Sequence, residues 1–127
     1  MPDSNPQLNS NGINFVPTIH NDTYDSIRPE QFNLSGRSVF ITGASKGIGR
    51  ETALSFARAG ASLIGIGARS SLDDLTTEIA TAAKNAGREA PRVVAVKLDV
   101  EDYGSAEAAA KEIERGVGRL DVLINNA

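Results

Sequence analysis

Val39-Phe40-Ile41-Thr42-Gly43-Ala44-Ser45-Lys46-Gly47-Ile48-Gly49 is the stretch that decides the fold. Val39, Phe40 and Ile41 are consecutive β-formers, suited to a strand covered on both faces. Gly43, Gly47 and Gly49 follow in a G-x3-G-x-G spacing. Helical periodicity then runs from Arg50 to Ala59 and stops at Gly60. A strand that feeds a glycine turn and then a helix makes an anion site. The first helical N–H groups have no partner within the helix, and the helix dipole favours negative charge beside them. Glycine allows positive φ and lets a pyrophosphate come close to the backbone. A P-loop is excluded, because no Lys-Ser or Lys-Thr pair follows the second glycine.

Outward from this turn, strands and helices alternate. Ile48, Thr52 and Phe56, with Ala53 and Ala57 beside them, predict the sheet-facing side of the first helix. Ala61 to Gly67 reads as strand two, with Gly65 and Gly67 leaving room where an adenosine would lie. Leu72, Leu75, Ile79, Ala82, Ala83 and Ala86 recur at helical spacing. Asp73 and Asp74 open that helix, and Gly87 ends it. Ser70 and Ser71 read either as a helix cap or as phosphate contacts. Arg92 to Leu98 is strand three. Ala106, Ala109, Ala110, Ile113 and Val117 mark the inner face of a third helix, broken at Gly116 and Gly118. Arg119 to Ile124 is strand four. The expected class is α/β: a partial doubly wound Rossmann sheet of four parallel strands in order 3-2-1-4, with three crossover helices.

The form Thr42-Gly43-x3-Gly47-x-Gly49 resembles the short-chain dehydrogenase/reductase family. Leu98-Asp99-Val100 and Asn125-Asn126-Ala127 add to the resemblance, which runs from about Arg37 to Ala127. It implies a nicotinamide dinucleotide held by Gly43, Ser45, Lys46, Gly47, Ile48 and Gly49 at the turn. Asp99 and Val100 would lie at the adenine. Asn125 would lie by the ribose and tie strand four to the glycine turn, and Asn126 and Ala127 would also belong to the cofactor site. Asp99 also reads as a turn residue, and an Asn pair is common turn chemistry. The end of strand two bears on which dinucleotide is bound. A carboxylate there would accept the ribose hydroxyls of NAD, but Ala68 and Arg69 stand in its place. Guanidinium pairs well with a 2′-phosphate, and in the family a base in the turn with a second after strand two marks NADP. Lys46 and Arg69 fit that pattern, so NADP is favoured over NAD; the plainer reading is two exposed bases.

The family transfers hydride between the nicotinamide and a small carbonyl or alcohol substrate, with a Ser and a Tyr-x3-Lys pair moving the proton. Tyr24 is followed at that distance by Arg28 and Tyr103 by Glu107, so no catalytic residue carries over. The expectation is the N-terminal part of an NADP(H)-dependent enzyme, truncated just before the Gly of an N-N-A-G pattern. The alternative is a non-catalytic NADP(H)-binding regulatory or interaction module. Strand four would then leave one edge unpaired, and such an edge invites aggregation.

The 127 residues are enough for one domain, residues 36–127, preceded by a polar arm, residues 1–35. Met1 to Gly12 reads as disordered; Phe15, Val16, Ile19, Tyr24, Ile27 and Phe32 are candidates to pack on the domain; His20 reads as solvated. With no Cys and one His, a disulfide framework and a zinc site are not expected. A net charge of −3 without a basic patch argues against nucleic acid. Apolar runs are too short for a membrane span and no signal-peptide pattern opens the chain, so a cytoplasmic location is expected.

Overall fold

The computed structural model describes residues 17–18 and 24–127. The readings of Met1 to Gly12, Phe15, Val16, Ile19 and His20 lie outside them. The elements alternate as β1 (Ser38–Thr42), α1 (Gly47–Arg58), β2 (Leu63–Ala68), α2 (Asp73–Asn85), β3 (Arg92–Lys97), α3 (Tyr103–Val117) and β4 (Val122–Ile124). All four strands are parallel, in the order β3-β2-β1-β4. That is the arrangement expected of right-handed crossovers. Among the described residues no helix is long and apolar enough to cross a membrane.

Each strand alternates its side chains between two faces. Val39, Ile41, Ile64 and Ile66 meet Ala53, Leu54 and Ala57 of α1 and Leu75, Ile79, Ala82 and Ala83 of α2 on one face. Phe40, Val96 and Leu98 meet Ala109 and Ile113 of α3 on the other. Every residue of β1 is buried, which explains the unbroken run of β-formers there. Among the described residues β4 pairs with β1 alone. Val122 and Ile124 are half-buried against the first core, while Leu123 on the other face stays 53% exposed.

Four expectations are corrected by the packing. The sheet-facing column of α1 is Gly49, Ala53 and Ala57 with Leu54, and Ile48 is 78% exposed. A β-carbon at Gly49 would lie 2.3 Å from the Gly43 carbonyl oxygen. That approach sets the rotation of the helix, and Ile48, about 100° away around the axis, turns outward. Second, the glycines of β2 make room for a ring, not for an adenosine. A β-carbon at Gly65 would lie 2.8 Å from Phe40 Cδ2, and one at Gly67 would lie 3.0 Å from Phe40 Cζ. Third, α3 runs through Gly116, whose bare α-carbon faces Val94 of β3; Gly118 is the residue that ends it. Ala110, expected on the inner face of this helix, is exposed. Fourth, Tyr24, Ile27 and Phe32 remain about half exposed. Leu34 is the residue of this stretch that packs on the core. Arg88 donates to the carbonyl oxygens of Glu30 and Phe32, and Leu34 N–H to Ala59 O at 2.9 Å. These bonds hold the stretch against the corner where α1 ends.

Where β1 and β4 begin, one carboxylate joins them. Asp121 accepts from Ser38 N–H at 2.9 Å and from Arg119 Nε at 3.0 Å, with Arg37 Nη1 at 3.7 Å. The Ser38 N–H foremost, then Arg119 and Arg37, hold the Asp121 carboxyl below its usual value, while burial pushes the other way. A carboxyl depressed in the folded state contributes stability above its unfolded pKa and loses it as pH falls through the folded value. Asp121→Asn is therefore expected to lower the thermal midpoint at pH 7. Its gap from the parent should close as pH falls below about 3.9. A gap that stays constant across that acid range in pH-dependent melts would refute the linkage.

Candidate functional site

The glycine turn sits at the C-terminal ends of the strands, the edge where open α/β sheets take ligands. Its three glycines have separate jobs. Gly43 turns the chain at φ +65°, and a β-carbon there would lie 3.0 Å from Ala127 Cα. Gly47 also has positive φ, +62°, but a β-carbon there would meet nothing within 4 Å. A β-carbon at Gly49 would meet the Gly43 carbonyl oxygen, as described, and would also lie 2.6 Å from Asn126 Nδ2. Two glycines close the turn, and the third keeps the space in front of it open.

That space leads to the start of α1. Lys46 stands at the N-cap and makes no capping hydrogen bond, and no acidic residue occupies the first turn. The other two α-helices begin differently. Asp73 and Asp74 lie in the first turn of α2, and the Asp102 side chain caps α3 by accepting from Gly104 N–H at 2.9 Å. Only α1 among the described α-helices thus presents its positive end without a protein carboxylate.

A groove of about 620 Å³ lies in front of it. Gly43, Ser45, Lys46 and Gly47 form one wall, Ala68, Arg69 and Ser70 a second, Leu98, Asp99, Val100 and Glu101 a third, and Asn126 and Ala127 the end. The volume is in the range of small-molecule and cofactor sites. Nine of the twelve residues singled out from sequence line it; Ile48, Gly49 and Asn125 do not. Among the described residues neither Lys46 nor Arg69 makes an ion pair. Ser71 leans to its own backbone, its hydroxyl lying 3.4 Å from Asp73 N. Asp99 has a structural duty as well. Its Oδ1 accepts from Glu101 N–H at 3.0 Å, and its own N–H donates to Ser105 Oγ at 2.9 Å. The turn reading and the groove position of Asp99 hold together. Among the described residues, no group of three or more His, Cys, Asp or Glu side chains is placed to hold a metal ion.

The tie from β4 to the turn is made by Asn126, not Asn125. Asn126 Nδ2 donates to Gly43 O at 3.2 Å. The Thr42 hydroxyl accepts from Asn126 N–H at 3.0 Å and from Ala127 N–H at 3.2 Å. Asn125 is exposed and lines a second, mostly apolar cavity of about 520 Å³ beside Phe40, Ile113 and Leu123. Alternation along the strand end separates the two asparagines, which adjacency in sequence hides. The role of Thr42 went unread for a similar reason: a threonine ending a strand gives no signal of its own.

A doubly wound α/β sheet with a glycine turn at its switch point places the molecule among the Rossmann-type domains. The short chain dehydrogenase family model matches residues 37–127, and the chain belongs to that family. A short chain dehydrogenase of Monascus purpureus is 51% identical over 118 residues, which are 93% of this chain and 40% of that protein. The chain thus spans about 40% of the length of such curated relatives. Among solved structures, a short-chain type dehydrogenase/reductase of Mycobacterium marinum superposes with a TM-score of 0.62 at 31% identity, over 72% of this chain and 34% of that one. An alcohol dehydrogenase of Thermococcus sibiricus, solved with 5-hydroxy-NADP, gives 0.56 at 34% identity, over 68% and 35%.

Thr42→Val keeps the size of the side chain and removes the acceptor of two strand-end amides. It is expected to cost about 1–3 kcal/mol in urea denaturation, whereas Thr42→Ser should keep most of the stability. Equal midpoints for Thr42→Val and the parent would show that the tie contributes nothing.

Proposed function

We propose that these residues form the dinucleotide-binding part of an NADP(H)-dependent oxidoreductase acting on a small carbonyl or alcohol substrate. The observation that carries the reading is the uncapped start of α1 facing open space at Gly47. Backbone N–H groups of the turn, from Ser45 to Gly49, take the pyrophosphate there. Ile48, next to Gly47 and exposed outside the groove lining, contributes its backbone N–H to this set. Asp99 accepts from the adenine amino group through Oδ2, which has no partner among the described residues, and Val100 lies against the ring. Asn126 and Ala127 serve the ribose at the far end, and Asn125, in the cavity on the α3 side, is left out of this contact. The bound cofactor supplies the hydride chemistry. The residues of this chain bind it, fix its orientation and shield it from water; no Tyr-x3-Lys pair lies among them.

The preference for NADP rests on charge. Ala68, not a carboxylate, ends β2, and Lys46 and Arg69 line the groove with no acidic partner. Two cations without an ion pair among the described residues favour a 2′-phosphate, and the end of β2 carries no carboxylate for bare ribose hydroxyls; Asp99 and Glu101 line the groove from the β3 side. The alcohol dehydrogenase solved with 5-hydroxy-NADP is consistent with this choice.

Two measurements test the reading. Gly47→Val fills the open space at the turn and is expected to abolish NADPH binding by calorimetry; unchanged affinity would remove the turn's role. The double variant Lys46→Ala with Arg69→Ala should weaken NADPH at least about tenfold and leave NADH nearly unaffected. Equal losses for the two nucleotides would refute the NADP assignment.

A further inference from the structure

Arg69 and Ser70 line the groove in front of the glycine turn and also a neighbouring cavity of about 300 Å³, which Lys97 closes on the β3 side. Lys97 pairs in register with Ala68, the residue just before Arg69. Val96 and Leu98 are buried in the α3-side core. Alternation therefore puts Lys97 on the opposite face, that of α2. There it shares the cavity with Arg69, Ser70, Ser71 and Asp73. Lys97 is exposed and makes no ion pair among the described residues, although Asp73 lines the same space. Lys46 and Arg69 line the groove beside Asp99 and Glu101, and Arg69 and Lys97 line the neighbouring cavity beside Asp73; none of the three bases makes an ion pair among the described residues.

We propose that Lys97 is a third determinant of specificity for the 2′-phosphate, approaching it from the α2 side of Arg69. The inference rests on the NADP(H) reading above and extends it to a residue outside the turn and outside the strand-two end. The ammonium acts as a mobile point charge at long reach, whereas the Arg69 fork fixes the phosphate in position. Because Lys97 is exposed, its effect is small and screened by salt.

The test is calorimetry on the full 127-residue chain with NADPH and with NADH, for the parent, Lys97→Gln and Lys97→Arg. Lys97→Gln is expected to weaken NADPH about two- to fivefold at low salt, with NADH unchanged and the difference shrinking as salt rises. Lys97→Arg should keep the parent affinity. NADPH affinity equal in Lys97→Gln and the parent overturns this inference and leaves the NADP(H) reading standing. So does an equal loss for both nucleotides. Binding of neither nucleotide by the parent chain overturns the NADP(H) reading and this inference with it.

Discussion

The Thr42 hydroxyl, accepting from the amides of Asn126 and Ala127, is the contact on which the shape of the ligand edge depends. Thr42 ends β1 and immediately precedes the turn, and Asn126 follows β4. The two strands are far apart in sequence and are joined by only three paired positions. The hydroxyl and the Asn126 amide extend that short ladder past the last strand residue and grip Gly43 from behind. The turn then holds one shape before any ligand arrives. Rigidity of this kind matters because backbone N–H groups recognise an anion only when their directions are already set. Gly49 belongs to the same device: its missing side chain lets the start of α1 close against the Gly43 carbonyl.

Where the strands begin, charges are paired: Asp121 gathers Arg37 and Arg119. On the α1–α2 face, Arg50 reaches Glu78 and joins the two helices. Along the ligand edge Lys46 and Arg69 make no ion pair among the described residues, next to a helix start without an acidic residue in its first turn; Asp99 and Glu101 line the same groove.

The fold was legible because its signals are local and repeated. The run Val39-Phe40-Ile41, the helix pattern from Leu72 to Ala83 and the glycine spacing each place one element, and chirality fixes the rest. What was not legible depended on contacts between distant residues. Ile48 fits the apolar periodicity of α1, but Gly49 sets the rotation of that helix, and a glycine carries no weight in a hydrophobic pattern. Both asparagines are legible as site residues, but the tie to the turn falls to Asn126 and not Asn125, because the face each side chain takes is set by the strand end.

The ring of Phe40 lying over Gly65 and Gly67 makes three positions on two strands a single unit of volume. Bulk can sit on β1 or on β2 at this level of the sheet, but not on both. A descendant of this sequence that acquired alanine or valine at 65 would have to surrender the aromatic at 40, and in either order the intermediate is overfilled or hollow. Inheritance at these sites is therefore linked by steric exclusion, and the pair of glycines is best understood as the imprint of a phenyl group carried by the neighbouring strand.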